Sequence, residues 1–203
     1  MSNNKGPDFL SLYCSEKREE GEYIALSHCW GKKQEVGEEF RTLRGNFDER
    51  RREFRMDVLP QTFRDAVTVT RELGKRYLWI DSLCIIQDDP NDWAVESKRM
   101  EDVFTNAYCT IAASSAADST VGFLKDRQLP QYVEVPNSAH GRIYICEAID
   151  DFHHDVDEGV LAQRAWVLQE RALSRRTIHF TANQLYWECG DGVRCETLTH
   201  MRK

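Results

Sequence analysis

Glu170 stands four residues after Trp166 in RAWVLQE, residues 164–170. Residues four apart on a helix lie one above the other. A helix here would set an aromatic ring and a carboxylate on one face. Such a pair can stabilise positive charge that develops in a bound ligand. A plainer assignment makes Trp166 core and pairs Glu170 with Arg164, Arg171 or Arg175 at the surface. The residues alone leave both open.

A second group closes the run EYIALSHCWG, residues 22–31. Ser27 and His28 are a hydroxyl and a general acid/base type. Trp30 could cover a core or a ligand. Gly31 would permit a tight turn or a close backbone approach to a phosphate. His28 and Cys29 are adjacent, so in a strand they point to opposite faces and form no Cys–His pair. Asp81 interrupts the apolar run YLWIDSLCII, 77–86. A carboxylate there needs a partner, and Ser27, His28 or a backbone turn could supply it.

Other candidates are weaker. Cys189 and Cys195 bracket GDGVR with His200 nearby and could hold a metal, although the spacing is loose for a zinc site. His153 and His154 fall in the acidic stretch DDFHHDVDEG, read as a solvated loop. No P-loop, GxGxxG or GxSxG pattern is present. No metal or cofactor is expected.

Hydrophobic periodicity supplies the elements that would position these residues. Tyr23 to Leu26 reads as a buried strand opening into a polar loop. Leu59, Phe63, Ala66, Val67, Thr70 and Leu73 keep helical spacing, with Pro60 at the start and Gly74 as C-terminal cap. The run 77–86 reads as a central strand. Trp93, Glu96, Met100, Val103, Phe104 and Ala107 mark a second helix face, and YCTIAASSA, 108–116, a third strand. Strand and helix alternate, which argues for an α/β layer fold with a mostly parallel sheet. Residues 117–160 break the rhythm. YVEVP and RIYICEA alternate like an antiparallel pair within an insertion. A helix at 161–173 and strands at 176–180 and QLYWEC resume it. We expect an N-terminal extension at 1–21, a domain at 22–190, and a polar tail at 191–203 truncated from a longer protein.

Composition narrows the class. Hydrophobic residues at 41% can fill a real core. The net charge of −7, from 27 basic and 34 acidic residues, argues against a general grip on long nucleic acid. No run approaches the roughly 20 apolar residues of a membrane span. The N-terminus lacks the apolar core of a signal peptide. A cytoplasmic location is expected.

Three blocks resemble the HET domain, the fungal heterokaryon incompatibility domain. They are YIALSHCWG at 23–31, YLWIDSLCIIQDDPNDWAVESKRMEDVFTNAYCTIAASSAADS at 77–119, and RAWVLQERALSRRTIHF at 164–180. They stand in the family's order and cover most of the chain from about residue 22. The resemblance implies fungal self/non-self recognition and induced cell death. HET domains are in turn similar to TIR domains, which have a flavodoxin-like fold and in some cases cleave NAD+ at the nicotinamide–ribose bond. Their catalytic glutamate lies on the helix after the third strand in a WxxxE setting. Trp166 and Glu170 match that spacing, although the 44 residues at 117–160 make a longer gap than a TIR domain has.

On this resemblance Glu170 is the catalytic carboxylate, and Trp166 packs against nicotinamide or ribose. Ser27, His28, Trp30, Gly31 and Asp81 line the nucleotide site. NAD+ or a related nucleotide is then substrate rather than cofactor. Glu96 precedes the third strand and so has the wrong position; it is expected to pair with Lys98, Arg99 or a loop. The family equally implies self-association or a partner signalling domain, so a non-enzymatic adaptor is the second expectation. A hydrolase of some other nucleotide is the third.

Overall fold

The computed structural model describes residues 8–15, 19–31, 37, 40–127, 132–137, 141–146, 150–196 and 200–201. Eleven strands and five α-helices are described: β1 (Phe9–Leu10), β2 (Tyr23–Ser27), α1 (Phe47–Arg52), β3 (Phe54–Arg55), α2 (Gln61–Glu72), β4 (Tyr77–Trp79), α3 (Asp81–Cys84), α4 (Pro90–Asn106), β5 (Cys109–Ala112), β6 (Tyr132–Asn137), β7 (Gly141–Cys146), α5 (Ala165–Leu173), β8 (Arg176–Phe180), β9 (Leu185–Cys189), β10 (Gly192–Cys195) and β11 (His200–Met201).

The main sheet has seven strands in the order β11-β10-β9-β8-β5-β2-β4. The pairs β4/β2, β2/β5 and β5/β8 are parallel. From β8 through β9 and β10 to β11 the pairing is antiparallel. The fold is thus a mixed α/β sheet flanked by helices. Numbered along the chain, its parallel strands lie in the order 2-1-3-4. Sheets that begin this way bind ligands where the first and third strands part, here at the carboxyl ends of β2 and β5.

The expected α2 and α4 form, and local chemistry sets their ends. Gly74 adopts φ +68. Its N–H reaches the Arg71 carbonyl, and the Lys75 N–H reaches that of Thr70, a Schellman cap. At the start of α4 the Asp89 side chain accepts from the Asn91 and Asp92 N–H groups.

Three expectations need correction. The apolar run 77–86 is not a central strand. β4 spans three residues, pairs β2 alone and lies at the sheet edge. Asp81 ends the run because its Oδ1 accepts the Ser82 N–H at 2.7 Å and starts the helical turn α3. The acidic stretch at 153 is not a loop: His153–Asp157 is a π-helical turn. It closes over Phe152 and Val156, which are buried with Tyr186, Val193 and Cys195. The residues after Gly190 include β10, whose Val193 and Cys195 are buried in that cluster. The insertion's hairpin does form, as β6 and β7, but as a separate two-stranded sheet.

Side chains alternate across the strands, and the registers sort the main sheet into two faces. Ile24, Leu26, Cys109, Ile111 and Phe180 face α2 and pack on Leu59, Phe63 and Ala66. On the other face Ala25 packs with Phe104 and Ala107 of the α4 region. That face continues through Ser27, Thr110, Thr177, His179 and Glu188, all buried.

Candidate active site

Glu170 lies in the middle of α5 and is only 5% exposed. The Cα–Cβ bonds of a helix tilt towards its N-terminus. That tilt directs the carboxylate back towards the carboxyl end of the sheet. There Ser27, the last residue of β2, donates its Oγ–H to Glu170 Oε2 at 2.5 Å. Burial pushes the Glu170 carboxyl up to about 7; the Ser27 hydrogen bond and Arg164 oppose the rise, and Asp81 adds to it. A carboxyl poised near neutrality suits proton transfer or charge stabilisation.

The backbone around Glu170 is held from β5. Thr110 Oγ1 and Ser174 Oγ lie 2.6 Å apart. Ser174 Oγ in turn donates to the Glu170 carbonyl at 2.7 Å. Arg164, at the start of α5, donates from Nη1 to the His28 carbonyl. The helix is therefore tied to β2 at two points, one by side chain and one by backbone.

The remaining expected residues divide. Trp30 Nε1 donates to Asp81 Oδ2 at 2.8 Å, so this pair joins the ends of β2 and β4. His28 is buried, with Nδ1 4.0 Å from Asp81 Oδ1 and its ring edge-on to Phe63. It faces α2, away from Ser27. Burial lowers its pKa to about 4, against the opposing pull of Asp81. The ring is neutral at pH 7, and its Nε2 has no hydrogen-bond partner among the described residues. Gly31 has φ +93, and a Cβ there would meet Asp118 Cβ at 2.8 Å. A tight approach to the loop after β5 thus accounts for glycine at this position. Trp166 is 57% exposed and stands outside this cluster. The surface assignment of Glu170 is inverted: the carboxylate is buried and the ring is out. Glu96 pairs with Arg99 at 2.9 Å, as expected.

Sequence reasoning missed a second polar group on the same sheet face. His179 Nε2 lies 3.0 Å from Glu188 Oε2. Arg171, next to Glu170, donates Nε to Glu188 at 2.7 Å and Nη1 to Asp157 at 2.6 Å. The signal was present: Thr177, His179 and Glu188 occupy alternate, inward positions of TIHF and LYWEC. A small cavity of about 20 Å³ joins the two groups, lined among others by Ser27, Thr110, His179 and Arg171. Among the described residues no group of three or more His, Cys, Asp or Glu is placed to hold a metal. No described helix is long and apolar enough to cross a membrane.

The chain is thus an α/β protein with a buried, partnered carboxylate at the strand-order switch of its sheet. The comparison with protein families is specific: the model of the heterokaryon incompatibility protein family (HET) matches residues 23–170. The chain belongs to this family, and membership implies a role in heterokaryon incompatibility and cell death. No curated protein and no solved structure matches the chain.

Proposed function

We propose that this domain hydrolyses NAD+ at the nicotinamide–ribose bond, with Glu170 as the catalytic carboxylate, on a TIR-like sheet. The observation that carries the reading is the buried Ser27–Glu170 pair at the carboxyl end of β2, on the helix that follows the third parallel strand. As the C–N bond breaks, nicotinamide leaves with the bonding electrons and positive charge grows on the ribose. The ionised Glu170 stabilises that charge. Water then adds to the ribose carbon and releases a proton. The cationic substrate itself favours the ionised carboxylate. Ser27 orients the carboxylate. Gly31, Trp30, Asp81 and His28 shape the adjoining nucleotide loop, and Trp166 at the rim packs against the nicotinamide or ribose.

A second reading rests on α5 itself. Trp166 and Leu168, at 57% and 76% exposure, give it an apolar outer edge. Such an edge suits self-association or a partner signalling domain, as a cell-death adaptor requires.

The test is nicotinamide release by concentrated, artificially clustered protein. Wild type should cleave NAD+. Glu170→Gln should lose at least ~100-fold in rate, as removal of a key electrostatic group does, and Glu96→Gln should keep full activity. A cell-killing wild type that leaves NAD+ intact overturns the enzymatic reading in favour of the adaptor.

A further inference from the structure

The cavity beside Ser27 has room for about one water at ~20 Å³. Ligand pockets are typically roughly 300–1,000 Å³. Its floor is the sheet face of Ser27, Thr110, Ala112 and Thr177. Its cover comes from Val167 and Arg171 of α5 and from Val156, Leu161 and Ala162 of the segment 150–163. That segment contains the π-helical turn His153–Asp157, a form of helix found often at functional sites.

The segment packs Phe152, Val156 and Leu161 into buried apolar clusters, and polar contacts fasten it to the strands and to α5. Asp157 accepts from Arg171, the neighbour of Glu170, at 2.6 Å. Arg171 continues the chain to Glu188 and so to His179 on the cavity floor. The Asp155 side chain accepts from Tyr186 Oη at 2.9 Å and from Asn183 Nδ2 at 2.8 Å. Beneath the segment's far end lies Cys29, 6% exposed, its Sγ 4.0 Å from the Val160 carbonyl and its side chain packed with Leu161 and Val167.

We propose that segment 150–163 is an autoinhibitory roof over the Ser27–Glu170 site, latched by Asp155 and Asp157, and that the site admits a nucleotide when the latch releases. Apolar roof side chains fill the space a ligand needs, and the part-exposed Asp157–Arg171 ion pair and the hydrogen bonds of Asp155 hold them there. The Asp157–Arg171 link makes release felt directly at the helix carrying Glu170. The inference rests on the proposed site, but its primary readout is independent of catalysis.

The experiment is the labelling rate of individual cysteines by N-ethylmaleimide, resolved by mass spectrometry. Cys29 reports on the roof. Cys109, 1% exposed on the α2 face of the sheet, reports on opening of the whole domain. Asp157→Asn should raise the Cys29 rate about two- to fivefold, the range for a part-exposed ion pair. Asp155→Ala, which removes the carboxylate that accepts from the buried Tyr186 hydroxyl and from Asn183, should raise it about tenfold or more. Glu158→Gln, whose His153 contact is exposed, should leave it unchanged. Cys109 should stay at the wild-type rate in Asp157→Asn.

An unchanged Cys29 rate in both latch variants overturns the proposal. So does a Cys29 rise matched by Cys109, because the segment would then be ordinary structure that opens only with the fold. NAD+ cleavage by the clustered protein should rise in the same order as Cys29 labelling. Labelling that rises without cleavage in any variant leaves the roof standing and removes the NAD+ reading.

Discussion

The two faces of the main sheet are built from the same strands and differ sharply in chemistry. Towards α2, the inward residues are aliphatic and aromatic, and they join Phe63, Leu59 and Ala66 in one cluster. Towards α4 and α5, the alternating residues of the same strands include Ser27, Thr110, Thr177, His179 and Glu188, and α5 adds Glu170. Burying polar groups costs free energy unless each finds a partner. Here the partners come from the face and the helix that covers it, but His179 Nδ1 has none among the described residues. A fold needs one apolar face to be stable. The second face carries paired carboxylates, hydroxyls and a histidine beside its apolar clusters, and the proposed function uses them. The contrast sets a largely apolar face against one that mixes apolar clusters with paired polar groups.

Substitutions on the two faces should therefore separate. The largest effect is expected on the apolar side. Phe63→Ala should cost ~3–5 kcal/mol, the range for a buried Phe, read as a drop in the denaturant midpoint with an unchanged slope. A loss under about 1 kcal/mol would mean that this face is not the main core. The smallest effect is expected at the outer edge of α5. Trp166→Ser should change stability by less than ~0.5 kcal/mol, as exposed positions do. If the adaptor reading holds, the same change should shift self-association towards monomer in sedimentation. Unchanged association confines Trp166 to the nucleotide rim.

Much of this contrast was legible in the sequence, though unevenly. The helical spacing from Leu59 to Leu73 and the Gly74 cap located α2 because both follow from local backbone rules. Strand and helix alternation gave the α/β class for the same reason. The edge position of β4 was not legible: apolar content along 77–86 does not reveal that Asp81 captures the Ser82 N–H and ends the strand. The turn at His153 was hidden because its two buried residues, Phe152 and Val156, are set among acidic and histidine residues.

The site was half visible. Glu170 emerged from its spacing to Trp166, yet spacing could not tell which of the two goes in. That choice depends on where α5 begins relative to the sheet edge, which is a tertiary fact. The Ser27 contact spans 143 residues of chain, and no local pattern encodes it. Thr177, His179 and Glu188 did alternate inward, but polar residues at period two read equally as a solvated face until the covering helix is known.

The central claim is that Glu170 is a carboxylate held in a dry, polar face against its own ionisation. The most direct measurement is the unfolding free energy of wild type and Glu170→Gln from pH 4 to 8. A folded-state pKa of about 7, raised from 4.5 by burial, means stability fully present below pH 4.5 and lost as pH rises through 7. Glutamine has no such loss. The two proteins should be equally stable near pH 4, and the variant should gain up to ~3 kcal/mol over wild type by pH 8. A constant difference across this window would show that Glu170 titrates like an ordinary surface glutamate, and would contradict the account.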